Sequence, residues 1–379
     1  VEVSTANSPL SLTQNVEKTV LSNGLTVLTK EVHRSPVVTV QVWYKLGSKD
    51  EEAGVNGIAH QLEHVMFRGT KTRPIQFGRL FTALGGEWNA FTGYDQTAYY
   101  ETVERNKLSA LLELEADRMQ NALIDAAGLE TEKRVVISEL QGYENAADYR
   151  LSTAILKSKF ANHAYGLPVG GTKADVQKFN VEQVRRYYRR FYRPDNAVLV
   201  IVGDFNQEKT MATVQKTFGK IPQPKQPMQE KNIAKTLDSY QTSSEPIVLR
   251  EPGSTALVQA VYPVPDVNDG DIPALDVMDY ILSEGQNSRL EQALVTSGLA
   301  TEIKTDLPKL WAGGWYEILV KANPNQDLSK IDDVVKTAIA TLAAEPISPD
   351  EIKRAQVKLR ASLILDNRDI TSQGIQLGT

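Results

Sequence analysis

His60-Gln61-Leu62-Glu63-His64 places two of the chain's 4 histidines four positions apart with an acid between them. On a helix, side chains at i and i+4 lie one turn apart on the same face, so both imidazoles can grip one metal ion. Glu63 projects from the same side, where its carboxylate can reach an attacking water without being a ligand itself. Those are the parts of a metal-dependent hydrolase. Two imidazoles alone hold zinc weakly, and in a chain without cysteine the third donor is expected to be a carboxylate on a neighbouring helix. Glu132 and Glu139 point to one face of a helix whose Val135, Val136 and Leu140 should pack inward, and Glu144 is a third acid nearby. Spacing alone does not choose among them.

The elements that must position these residues follow from pattern. Residues 24–30 and 37–45 alternate or run apolar with β-branched and aromatic side chains and read as strands separated by a turn at Pro36. A helix is predicted from about Gly57, and residues 87–92 and 97–102 flank Gly93-Tyr94-Asp95-Gln96 as a hairpin. Residues 108–123 and 129–149 carry helical periodicity, and 197–203 read as a buried strand following Arg193-Pro194-Asp195-Asn196. The stretch 221–245 is polar and holds Pro222, Pro224 and Pro227, a linker composition. Beyond it the order repeats: strand 255–262, helix 272–283, strands near 299–304 and 315–322, helices 328–344 and 349–365.

The expected fold is α+β, with two homologous subdomains, each an antiparallel sheet with packed helices. Residues 1–220 form the metal-bearing unit, 221–245 the linker, and 246–379 a diverged copy without ligands. The first unit continues for about 60 residues past its last long helix to a closing strand, so the second is expected to be truncated at its C-terminus.

Composition bounds the rest. In 379 residues, 41% hydrophobic against 23% charged is enough for a sizeable core and excludes disordered and fibrous classes. A net charge of −5 supplies no general attraction for a phosphate backbone, so nucleic acid is not an expected partner. No apolar run approaches the roughly 20 residues needed to span a bilayer. The sequence starts at Val1 with no signal pattern before Asn23-Gly24, so any export signal is absent or already removed. An exported or periplasmic location is the expectation over a cytoplasmic one.

Several segments resemble the pitrilysin/insulinase family of zinc peptidases, in its processing-peptidase-like branch. They are Asn23-Gly24-Leu25-Thr26-Val27, the run from Gly57 through His60 and His64 to Gly69-Thr70, Gly85-Gly86-Glu87-Trp88-Asn89-Ala90-Phe91-Thr92, and Arg193-Pro194-Asp195-Asn196. The resemblance implies one zinc ion on His60, His64 and Glu139, since the family's third ligand is a glutamate about 75 residues beyond the second histidine. It also implies Glu63 as general base, Glu132 as a supporting acid of the catalytic site, and peptide bond hydrolysis within half of a clam-like chamber. Residues 87–92 should be an edge strand onto which substrate adds as a further strand, with Asn89, Ala90 and Phe91 as contacts.

Family members that act alone or as homodimers carry an Arg, and a Tyr seven residues later, in the second half. Here those positions hold Leu294 and Thr301. The resemblance therefore implies a heterodimer whose homologous partner chain supplies the Arg and Tyr that clamp the substrate. The rival expectation is a non-catalytic scaffold of the same fold, like the core proteins of respiratory complexes, which usually lose the ligand set.

Overall fold

The computed structural model describes residues 13–52, 54–228, 233–242, 245–253 and 255–379; parts of the expected 221–245 linker lie outside the described residues. In the first half, β1 (Glu17–Val20), β2 (Thr26–Glu31) and β3 (Val37–Tyr44) precede α1 (Ile58–Val65) and α2 (Phe77–Ala83). The hairpin β4 (Glu87–Thr92) and β5 (Thr97–Glu104) leads to α3 (Leu108–Asn121), α4 (Ala126–Glu144), α5 (Ala147–Lys159), α6 (Lys173–Lys178) and α7 (Val181–Phe191). The closing strand β6 (Ala197–Gly203) is followed by α8 (Gln207–Lys216) and, in the linker stretch, the short α9 (Thr236–Ser239). The second half runs β7 (Leu257–Val264), α10 (Ile272–Ser283), β8 (Ala300–Asp306), β9 (Gly314–Ala322), α11 (Leu328–Ala344), α12 (Pro349–Asp366) and α13 (Ile370–Gly378).

The first sheet has the order β1-β2-β6-β3-β5-β4, antiparallel except for the parallel pair β2 with β6. The second, β7-β9-β8, repeats the pairing of β3-β5-β4. The α+β architecture of two related sheet-and-helix units is thus present. Alternation along β3 explains its two buried faces. Val38, Val40 and Val42 point into the main core with Leu62 and Val65 of α1 and Leu111 of α3, while Trp43 points the other way with Val200 and Val202 of β6.

That second face is covered by α13, a helix outside every predicted element. Its Ile370, Ile375 and Leu377 pack on Trp43, and Gln41 Nε2 donates to Thr371 O at 2.9 Å. The exchange is mutual. From the first half, α5 lays Leu156 against Val261 and Trp315 of the second sheet, and Ser152 Oγ donates to Glu317 at 3.1 Å. The single helix expected over 129–149 is therefore two, interrupted at Asn145-Ala146, because α5 must turn away from α4 to reach the other sheet. Asp95, in the hairpin turn, adds a tie between the halves. It accepts from Tyr165 Oη at 2.5 Å and from the Trp311 amide at 2.8 Å.

Beneath the hairpin, the fully buried Arg118 of α3 donates to Glu101 of β5 at 2.9 Å and to Glu115 at 2.7 Å, with the Tyr99 ring 4.4 Å from its guanidinium carbon. Burial raises both carboxyl groups, so this cluster fixes α3 on the sheet at the cost of desolvated charge.

Candidate metal centre

The short helix α1 begins at Gly57, whose φ of +88° suits glycine and whose missing side chain cannot cap the helix. Glu51 does so instead. Its carboxylate accepts from the Gly57 amide at 2.8 Å and the Ala59 amide at 3.0 Å, and its charge complements the positive end of the helix. Ile58, Ala59, Leu62 and Val65 bury one face of α1 in the main core, which fixes the rotation of the helix and leaves His60 and His64 partly exposed. The loop at Gly170 closes over His60: a Cβ on Gly170 would sit 2.8 Å from Leu140 and 3.4 Å from His60 Nδ1.

The two imidazoles stand nearly perpendicular with centroids 4.9 Å apart. Glu139, on the adjacent α4, brings Oε2 to 3.2 Å from His64 Nε2 and 3.7 Å from His60 Nε2. One donor atom from each of the three lies within 4.8 Å of the others. Glu132 stands elsewhere: its Oε2 is 3.9 Å from Nδ1 of His64, on the opposite side of that ring, and its Oε1 accepts from Arg68 Nη1 at 3.1 Å. Glu144 lies in the exposed last turn of α4. Of the side chains expected to pack inward, Val136 and Leu140 do, while Val135 is exposed because it lies about 100° around the helix from Val136.

Burial, followed by the neighbouring His64, pushes His60 down to about 4, so it is a neutral imidazole with an available lone pair at neutral pH. Two imidazole nitrogens and one carboxylate oxygen converging in this way match the donor set of a zinc site with a position left for water or substrate. Glu63 is buried beside them, and its Oε2 accepts from Thr92 Oγ1 at 2.5 Å. Burial pushes this carboxyl up to about 7, and the hydrogen bond from Thr92 opposes the rise. Tyr143, one turn after Glu139, donates to Glu139 Oε1 at 2.7 Å. That bond and then burial push the phenol up to about 12, so it remains a donor at neutral pH.

The strand β4 is an edge of the first sheet, with Glu87, Trp88 and Asn89 exposed. Asn89 Oδ1 accepts from the Ala90 amide at 2.9 Å, Ala90 packs against the main core, and Phe91 meets Trp43 edge-on at 5.4 Å on the other face. Beside His60 is a cavity of about 410 Å³ between the halves, walled by Thr92, Tyr94, Tyr143, Tyr149 and Trp315. Leu294 is fully buried in the core of the second half, and Thr301 Oγ1 donates to Lys321 O at 3.3 Å. Glu51, Arg68, Thr92 and Tyr143 were not picked out from the sequence. Only Tyr143 carries a local signal, its i+4 spacing from Glu139, whereas the others act through contacts the fold creates.

The family model described as "Insulinase (Peptidase family M16)" matches residues 26–173, and that described as "Peptidase M16 inactive domain" matches residues 178–359. The chain belongs to this family, the pitrilysin/insulinase-like M16 peptidases. The "Uncharacterized zinc protease YmxG" of Bacillus subtilis (strain 168) is 28% identical over 362 residues, spanning 95% of this chain and 84% of that protein. "Zinc protease PqqE" of Helicobacter pylori (strain ATCC 700392 / 26695) is 26% identical, spanning 92% of this chain and 79% of that protein. Among solved structures, a protease from Helicobacter pylori superposes with a TM-score of 0.89 at 24% identity, over 96% of this chain and 88% of that one. A chain of Complex III2 from Candida albicans reaches 0.80 at 15% identity, over 96% and 85%. Both structural likenesses are of fold. No helix among the described residues is long and apolar enough to cross a membrane.

Proposed function

We propose that this chain is the zinc-bearing subunit of an endopeptidase that hydrolyses peptides or unfolded segments. The observation that carries the reading is the convergence of His60 Nε2, His64 Nε2 and Glu139 Oε2 on one point beside the buried Glu63. Those three atoms would hold the ion, which when bound supplies a Lewis acid for the scissile carbonyl and a more acidic water. Thr92 engages Oε2 of Glu63, which leaves Oε1 to take the proton of the attacking water and pass it to the leaving amine. Glu132, held by Arg68, orients His64 from its far side. A substrate segment adds to the open edge of β4 at Asn89, Ala90 and Phe91, which positions its backbone with little demand on sequence.

In this reading residues 1–220 are the catalytic unit, 221–245 a linker and 246–379 the diverged copy. Leu294 and Thr301 leave the substrate clamp to a homologous partner chain that supplies an Arg and a Tyr. The test is peptide cleavage by the zinc-loaded chain with and without such a partner. Activity that needs the partner supports the assembly, while full activity from the chain alone overturns it. A second reading, a non-catalytic scaffold, draws on the fold likeness to the Complex III2 chain. The intact ligand set and Glu63 count against it, and absence of cleavage in every pairing would favour it.

A further inference from the structure

Glu139 sits on the outer part of α4 with its side chain about 31% exposed, and a glutamate there has three rotatable bonds through which to leave the cluster. Its two oxygens nevertheless have separate duties. Oε2 faces the Nε2 atoms of His60 and His64, and Oε1 is held by the Tyr143 hydroxyl at 2.7 Å. Tyr143 is itself braced. Its ring stacks on Tyr149 of α5, with centroids 5.7 Å apart and planes 30° from parallel, across the interruption at Asn145-Ala146. The kink that sends α5 to the second sheet thus also props the phenol that steers the carboxylate.

We propose that Tyr143 is a positioning residue: its hydroxyl ties down Oε1 of Glu139 so that Oε2 stays aimed between the two imidazoles, and Tyr149 holds the phenol in place. This inference rests on the reading of His60, His64 and Glu139 as a zinc site. Without the hydroxyl, Glu139 gains rotamers that point to solvent, and each must be given up again when the ion binds. Tyr143 also walls the cavity beside His60, so a substrate-contact role is the competing assignment.

Tyr143→Phe removes one oxygen from a half-exposed side chain and leaves the ring stack, so the fold is retained. Zinc affinity is measured by competition with a chelator, and the electronic spectrum of the cobalt-substituted chain reports ligand geometry; neither needs a partner or turnover. The expected result is a ~10-fold loss of zinc affinity, a changed cobalt spectrum, and, in the active assembly, lower kcat at unchanged KM. Tyr149→Phe should keep the wild-type zinc affinity and cobalt spectrum, because the stack survives, and Tyr149→Ala should reproduce part of the Tyr143→Phe loss of zinc affinity. Wild-type zinc affinity and cobalt spectrum in Tyr143→Phe overturn the proposal, as does a raised KM with zinc affinity unchanged, which makes Tyr143 a substrate contact. If the wild-type chain binds no zinc, or His60→Ala binds it equally well, the zinc-site reading itself fails, an outcome distinct from the other two.

Discussion

Glu51 caps α1, the helix of His60 and His64, from outside it, so weakening that cap should loosen the start of the helix. Both carboxylate oxygens accept backbone amides, Gly57 at 2.8 Å and Ala59 at 3.0 Å, in a site where Glu51 is only 4% exposed. Hydrogen bonds to a charged acceptor contribute about 1.5–3 kcal/mol each, and the charge at a helix N-terminus adds about 0.3–1 kcal/mol. Glu51→Gln keeps one acceptor, turns an NH2 toward the other amide, and loses the charge. One buried donor is then unpaired, and the expected destabilisation is about 2–4 kcal/mol. Glu52 is the control: its exposed side chain pairs, among the described residues, with Arg190 at 3.6 Å, so Glu52→Gln should change stability by less than about 0.5 kcal/mol. The assay is urea unfolding followed by tryptophan fluorescence, with amide exchange at Gly57 and Ala59 reporting the cap itself. An unchanged midpoint in Glu51→Gln, with both amides still protected, would show that the carboxylate does not hold the start of α1.

Three further outcomes are expected. Glu63→Gln should keep zinc and lose about 10²–10⁴-fold in turnover, because an amide cannot take the proton of the attacking water; near-native turnover would move the base elsewhere, first to Glu132. Asp306 and Glu317 lie directly opposite each other in the β8–β9 pair, both line the cavity beside His60, and burial raises both. Like charges so placed are relieved by a cation, so kcat/KM should favour peptides with Arg or Lys near the scissile bond, and the double change Asp306→Asn, Glu317→Gln should erase that preference. Selectivity unaltered by the double change would remove the pair from recognition. In the second half, the hydrogen bond from Arg289 is the largest effect pulling Glu351 from its ordinary 4.5 down to about 2; burial, next in size, opposes it, and the hydrogen bonds from Ser348 add to the lowering. Its folded-state value is depressed, so the stability it adds, about 1 kcal/mol, is full above pH 4.5 and fades as pH falls toward 2. The urea midpoints of wild type and Glu351→Gln should differ at pH 6 and converge near pH 2, and a constant gap would contradict the assignment.

The parts of the fold that could be read from sequence are those whose pattern is local. The β3 alternation, the apolar β6 run, the hairpin turn and the repeated element order of the second half all depend on neighbours within a few residues. What escaped depends on the other half of the molecule. The α13 segment Ile-Thr-Ser-Gln-Gly-Ile-Gln-Leu-Gly is a weak helix former, and its Ile370, Ile375 and Leu377 become a helix face against Trp43, Val200 and Val202. The interruption before α5 has no proline to announce it, and its cause is the second sheet. At the site, the histidine pair was legible because four residues is one helical turn. The separation of Glu139 from Glu132 was not legible from spacing and came from the family resemblance, because only the placement of α4 beside α1 decides which acid meets the Nε2 atoms and which meets Nδ1 of His64.

Zinc analysis of three purified chains distinguishes Glu139 from Glu132 as the ligand. The wild-type chain and Glu132→Gln should each retain one zinc ion per chain through dialysis, Glu132→Gln with weaker affinity, whereas Glu139→Gln should lose it. Zinc retained by Glu139→Gln and lost by Glu132→Gln would overturn this assignment and make Glu132 the ligand.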